Sequence, residues 1–187
     1  MKKILLAIDC QYDFLEGGSL GVNGATEKMN KLISHIENNE YDFIVFTVDW
    51  HPINHCSFVE NGGVWPSHCV QHTHGAAIYQ PLINSAIGKT KSTIKILTKG
   101  DVPSKEEYSI MGNYHSSKQL IRLINDENIE QIDVVGIANE YCVKNTVEDL
   151  VKCNLKDKLN VLFDFIAAIN DENVLKNYVS ENGLKSV

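Results

Sequence analysis

The sequence has no stripe of clustered lysine and arginine, and its formal net charge of -7 with an isoelectric point near 5.4 leans acidic. Phosphate contacts need clustered cations, so nucleic acid is not an expected partner. No apolar run is long enough to span a bilayer, so no membrane association is expected. The opening MKKILLAIDC has two lysines and a short apolar stretch, but an acid follows at once and no small-residue cleavage site appears. It reads as a first buried strand rather than a leader. The five cysteines, Cys10, Cys56, Cys69, Cys142 and Cys153, are odd in number and lack framework spacing, which points to reduced thiols and a cytoplasmic setting. Phosphate-loop signatures are missing too. Gly88, Lys89 and Thr90 lack the upstream glycine of a P-loop, and no G-x-G-x-x-G follows a strand. There is no internal repeat, low-complexity tract or linker. At 187 residues, 43% of them hydrophobic, the chain is expected to form one domain over residues 1–187.

What is present is an alternation of short β-branched runs with helical-period segments, the pattern of an α/β fold with helices on both faces of a parallel sheet. Five strands are predicted: KILLAI to Ile8, FIVFTV to Val48, IKIL to Leu97, IDVVGI to Ile137 and LNVLF to Phe163, with a short sixth at the C-terminus. Met29, Leu32, Ile33 and Ile36 follow helical spacing, as do Val143, Val147, Leu150 and Val151. A last helix carries Val174, Leu175, Tyr178 and Val179, with Asn170 and Asp171 as caps and Gly183 as its left-handed end. The interval from Asp49 to Ser92 breaks the rhythm. It is rich in His, Asn, Gly, Ser and Pro and shows no long helix, and such segments usually carry function.

Ligands of open parallel sheets bind beyond the carboxyl ends of the strands. The strand ends here offer Asp9, then Asp49 with His51, then Lys99, and the fourth leads through Gly136 to Cys142. Cys142 stands where a helix begins, where backbone N–H groups and the helix dipole favour a thiolate; Cys153, further along, suits a structural role. A thiol amidase must make a thiolate and protonate a poor leaving group, and one carboxylate can do both in turn. Asp9 is the candidate. Lys99 reads either as its cationic partner, reaching roughly 10 Å across two strand spacings, or as a solvated lysine before a turn. Asp49 and His51, one residue apart on an extended segment, point to one side and suit a metal. Five of seven histidines fall between positions 51 and 74, among them His55, His68, His72 and His74. Mixed carboxylate and imidazole donors suit zinc, manganese or iron.

The strings DWHPINHCSF (49–58) and WPSHCVQHTHGA (65–76), with IDCQYDFLEGGSL (8–20), TKGDVPSKEEYS (98–109) and VVGIANEYCVKNT (134–146), resemble the nicotinamidase/pyrazinamidase branch of the isochorismatase-like cysteine hydrolases. The resemblance spans nearly the whole chain. It implies a three-layer, six-stranded, mostly parallel sheet of order 3-2-1-4-5-6, a triad of Asp9, Lys99 and Cys142, and a metal held by Asp49, His51 and His68. His55 matches a histidine that ligates in some members and only lies nearby in others; Glu60 is a weaker alternative. A cis peptide between Ile137 and Ala138 is implied, aiming the N–H groups of Ala138 and Cys142 at an oxyanion. Phe14, Trp65 and Tyr108 are the implied ring contacts, although Phe14 and Trp65 read equally as core aromatics. The implied activity is hydrolysis of nicotinamide to nicotinic acid and ammonia in NAD salvage, and of pyrazinamide, with one divalent metal, zinc before iron or manganese. A homo-oligomer is left open. The alternatives are another hydrolase of the superfamily, acting on an amide, carbamoyl or vinyl-ether substrate, or a non-catalytic metal-binding domain. Two departures stand out: His72-Thr73 and Asn139-Glu140 replace the family's usual Gly-Thr and Thr-Asp. Cys10 also puts a second thiol beside the triad acid.

Overall fold

A computed structural model describes residues 1–187. Strands β1 (Lys3–Ile8), β2 (Phe43–Asp49), β3 (Thr93–Lys99), β4 (Gln131–Ile137), β5 (Leu159–Ala167) and β6 (Lys185–Ser186) form one parallel sheet of order β3-β2-β1-β4-β5-β6. Helices α1 (Ala25–Asn38), α2 (Gln80–Ile87), α3 (Tyr114–Asp126), α4 (Lys144–Lys152) and α5 (Asn173–Glu181) cover its two faces. No helix is long and apolar enough to cross a membrane.

β1 is central, and its side chains alternate between two cores. Ile4, Leu6 and Ile8 pack with Leu120, Ile124, Val147 and Leu175, and Leu5 and Ala7 pack with Met29, Leu32 and Leu82. Burial on both faces is why the strand reads as an unbroken apolar run rather than an alternating one. Met29, Leu32 and Ile36 of α1 are fully buried, each worth about 1.5–3 kcal/mol of transfer free energy. The strand order reverses between β1 and β4, so a crevice opens beyond their carboxyl ends.

Three local expectations change. β3 continues to Lys99 and β5 to Ala167, past the predicted ends, because both keep pairing with their neighbours. The irregular interval contains the eight-residue α2, which Pro81 starts in its first turn. At α5, Asp171 Oδ1 accepts the Asn173 N–H at 2.8 Å, whereas Asn170 caps nothing. Gly183 does take the left-handed conformation, at φ 59°.

Candidate functional site

β1 delivers Asp9 to the crevice in a left-handed conformation, φ 51°, that aspartate tolerates better than most residues. Its N–H still bonds Thr47 O at 3.0 Å, and its Oδ1 accepts from Thr47 Oγ1 at 2.7 Å. Oδ2 lies 2.8 Å from Lys99 Nζ but receives no well-directed hydrogen bond, leaving a lone pair free for a proton. Lys99, at the end of the edge strand, crosses β2 to make that contact. Its ammonium also pairs with Asp49 Oδ1 and lies 3.5 Å from Cys142 Sγ. The side chain is fully buried, which excludes the solvated-lysine reading. Donor atoms of Asp9, Asp49 and Cys142 all lie within 4.8 Å of one another.

Cys142 sits in a π-helical turn, Asn139–Val143, that precedes α4 rather than at an open first turn of that helix. The dipole effect expected at a helix start competes there with burial. Burial pushes the thiol well above its ordinary range; Lys99 opposes this, and Asp9 and Asp49 reinforce it. Burial likewise raises Asp9, with Lys99 opposing and Asp49 adding. Both the thiol and the carboxylate beside it are thus pushed toward holding a proton more tightly than a free cysteine or a free aspartate. Burial would also raise Asp49, but Lys99, His51 and His68 overcome it and hold this carboxyl well below the usual range.

A second constellation adjoins the first. Asp49, His51 and His68 have donor atoms within 4.8 Å of one another, all buried. His51 Nδ1 contacts Gly100 O at 2.9 Å and His68 Nδ1 contacts Pro66 O at 2.8 Å. In each case the N–H is donated at Nδ1, so Nε2 carries the lone pair. The two Nε2 atoms lie 3.6 and 3.9 Å from Asp49 Oδ2. Two imidazoles oriented by backbone carbonyls around one carboxylate form a donor set that fits a divalent ion. Burial lowers the pKa of His68, keeping it neutral as a ligand must be; burial opposes protonation of His51 too, but Asp49 outweighs it and raises that group. Gly100 is required here: its φ is +67°, and a Cβ would lie 2.3 Å from the His51 ring.

His55 does not join this set. Its ring stacks 4.1 Å from His51, its Nδ1 accepts the Ser57 N–H and its Nε2 donates to Lys105 O, so no lone pair is left for a metal. Glu60 is also outside it, accepting from Ser67 Oγ at the surface. His72 and His74 pack on Trp50 and Tyr12.

One pocket touches both constellations. Phe14, Trp65 and Tyr108 line it with Cys142, Ala138, Asp49 and His68. Trp65 Nε1 donates to Tyr108 Oη at 3.1 Å, and Tyr141 packs edge-on against Trp65 at 5.0 Å. The Ile137–Ala138 peptide is cis. The Ala138 N–H has no partner within the chain. Cys10 belongs to the opposite core cluster and donates to Ile8 O, so the second thiol faces away.

Several residues escaped the sequence reading. Gln11 clamps Asp49 from both sides, accepting its N–H and donating to its carbonyl, each at 2.8 Å. Glu107, buried, accepts from Gly100 N, Asn113 Nδ2 and Lys105 Nζ and so fixes the turn after Lys99. Glu140 takes backbone N–H bonds from Ile169, Asn170 and Asp171, tying the β5–α5 loop to the turn that carries Cys142. Thr47 had a usable signal, a hydroxyl inside a fully apolar strand. Gln11 and Glu140 did not, because their partners are distant in sequence, and Glu107 did not, because its partners meet it only through the fold of an irregular loop.

Comparison with known proteins gives the family. Residues 3–156 match the family model described as Isochorismatase domain. The nicotinamidase of Escherichia coli K12 is 31% identical, the match covering 90% of this chain and 84% of that one. The structure of a Pyrococcus horikoshii pyrazinamidase in complex with zinc is 30% identical and superposes with a TM-score of 0.83 over 100% of this chain and 99% of that one. The yeast nicotinamidase bound to the inhibitor nicotinaldehyde is 27% identical, with a TM-score of 0.85 over 99% of both chains. The chain belongs to the isochorismatase domain family, in its nicotinamidase/pyrazinamidase branch.

Proposed function

We propose that this protein is a nicotinamidase that hydrolyses nicotinamide to nicotinic acid and ammonia, with pyrazinamide as a second substrate, in the salvage of NAD. One observation carries the reading: a single aromatic-walled pocket meets the Asp9, Lys99, Cys142 cluster and the Asp49, His51, His68 cluster together. Phe14, Trp65 and Tyr108 give faces for a flat ring. No lysine or arginine lines the pocket, which favours a neutral amide over an anionic vinyl ether.

In the mechanism, Asp9 Oδ2 takes the Cys142 proton as the sulfur attacks the carboxamide carbon. Lys99 stays paired with Asp49 and balances the negative charge as it passes from Asp9 to the sulfur. The N–H groups of Ala138 and Cys142 receive the oxyanion. Asp9 returns the proton to nitrogen, and ammonia leaves a thioester on Cys142. A water that gives its proton to Asp9 then cleaves the thioester, releasing the acid and regenerating the thiol. The raised affinity of Asp9 for protons suits a group that must gain and lose one in each half-reaction. Asp49, His51 and His68 would hold the metal, with zinc favoured by two imidazoles and a carboxylate. When bound, the ion supplies a Lewis-acid anchor for the pyridine nitrogen. The five cysteines are free thiols, which suits the cytoplasm.

The test is ammonia release from nicotinamide by purified protein, before and after chelation and after zinc is restored. Activity lost on chelation and regained with zinc is the expected result. Absence of release from fully loaded protein would overturn the reading.

A further inference from the structure

We infer that Glu106 is a charge-selecting residue of this pocket, holding a fixed negative charge that disfavours ligands bearing a carboxylate and so favours the neutral amide over the acid made from it. The inference rests on the nicotinamide reading above.

Glu106 lies on the loop after β3 and lines the same pocket as Cys142, Ala138 and Trp65. Its carboxylate is held by two neutral donors: Ser57 Oγ on one oxygen, and the Glu107 N–H on the other at 3.1 Å. Ser57 is itself buried and also lines the pocket. These bonds fix the group in place without cancelling its charge. No lysine or arginine lines the pocket to do so. Lys99 is committed to Asp9 and Asp49, and Lys105 pairs with Glu107 at 2.7 Å and donates to Gly112 O. The remaining walls are mostly apolar, with Phe14, Leu20, Tyr141 and Ile169 among them. Glu106 is itself exposed, so its charge stands at the pocket mouth, partly screened by water, and acts inward along the apolar wall beside it.

The chemistry gives that charge a purpose. Hydrolysis turns a neutral carboxamide into a carboxylate, so substrate and product differ by one negative charge at nearly constant shape. Shape cannot separate them; a carboxylate on the pocket wall can. The same charge disfavours amides whose ring bears an acid group.

The experiment measures binding of nicotinamide and of nicotinate by titration calorimetry to the zinc-loaded protein. A Cys142→Ala background keeps nicotinamide intact, and Glu106, Glu106→Gln and Glu106→Asp forms are compared. The quantity read is the ratio of the two dissociation constants. The Gln form should shift that ratio toward nicotinate by at least about threefold, and the Asp form, which keeps the charge, should stay with the parent. A shift smaller than this in the Gln form, or an equal shift in the Asp form, overturns the inference. Should the Gln form fail to fold, the ratio in the Glu106 protein is followed from about 0.02 to about 0.5 M salt. Movement toward nicotinate as salt screens the charge supports the inference, and a flat ratio overturns it. Ammonia release by the protein with Cys142 intact is measured beside these, and its absence would sink the nicotinamide reading itself.

Discussion

Two buried polar clusters sit at opposite ends of the same sheet. At the amino ends, Asp133 is buried and fully satisfied: Oδ1 accepts from Gln131 Nε2 and Asn160 Nδ2, and Oδ2 accepts from Tyr41 Oη, which in turn meets His35 Nε2. At the carboxyl ends, Asp9 shares one lysine with Asp49 beside a buried thiol, and its Oδ2 has no well-directed donor. The wider of the two clefts belongs to the Asp133 end. Width does not mark the reactive end. A carboxylate with three neutral donors is at rest, whereas one left partly unsatisfied in a dry site has proton affinity to spend.

The sharpest contrast should come from the nucleophile. Cys142→Ala is expected to lower nicotinamide turnover at least about a thousandfold while the melting temperature holds, because the covalent route is lost and the fold is not. Activity within a hundredth of the parent's, read by ammonia release, would exclude covalent catalysis. Asp9→Asn should follow closely, at about a hundredfold to ten-thousandfold, since the amide keeps size but cannot accept the thiol proton. An Asn variant within tenfold of the parent would erase the distinction drawn between the two clusters.

The metal ligands come next. A His51→Ala, His68→Ala double variant should retain little bound zinc by elemental analysis, whereas His55→Ala should retain a full equivalent, because both His55 nitrogens are already engaged. Equal metal loss in the two proteins would return His55 to the ligand set.

At the other end of the sheet, Tyr41→Phe removes the donor to Asp133 Oδ2. A cost of about 1–3 kcal/mol in denaturant melts is expected, with kcat unchanged. A loss of turnover without a loss of stability would reverse the comparison. Smallest of all is Glu140→Gln. Burial raises the Glu140 carboxyl, but the Asp171, Asn170 and Ile169 N–H groups outweigh it, so its folded pKa lies below the ordinary 4.5. Such a group stabilises the fold above its unfolded pKa and loses that contribution as pH falls through the folded value. The melting-temperature gap between parent and variant should therefore be widest near neutrality and close in acid. A gap that widens as pH falls would contradict the sign.

Much of this molecule was legible in the residues. The ends of β1, β2 and β4, unlike those of β3 and β5, were placed well because these strands are buried on both faces and read as solid apolar runs. Lys99 was ambiguous for the opposite reason: β3 is an edge strand, so position alone could not separate a lysine facing solvent from one crossing inward. The helix-start argument singled out Cys142 from its place in the chain but could not weigh the burial that raises its thiol. Local dipoles are readable from sequence, while desolvation depends on what else closes over the sulfur. His55 shows the same limit, since its two partners, Ser57 N–H and Lys105 O, are set by how separate loops meet.

The sequence by itself determined the α/β architecture, the strand that carries each acid, lysine or thiol, and the pairing of Asp49 with His51, because these follow from periodicity and spacing along the chain. Tertiary structure alone decided that Lys99 is shared between Asp9 and Asp49, that burial raises the Cys142 thiol, that His55 is spent on backbone, and that Glu106 lines the pocket with no lysine or arginine beside it. Those are outcomes of burial and of contacts between distant segments, and electrostatic energies in a dry site turn on distances of a few ångströms that no local pattern encodes.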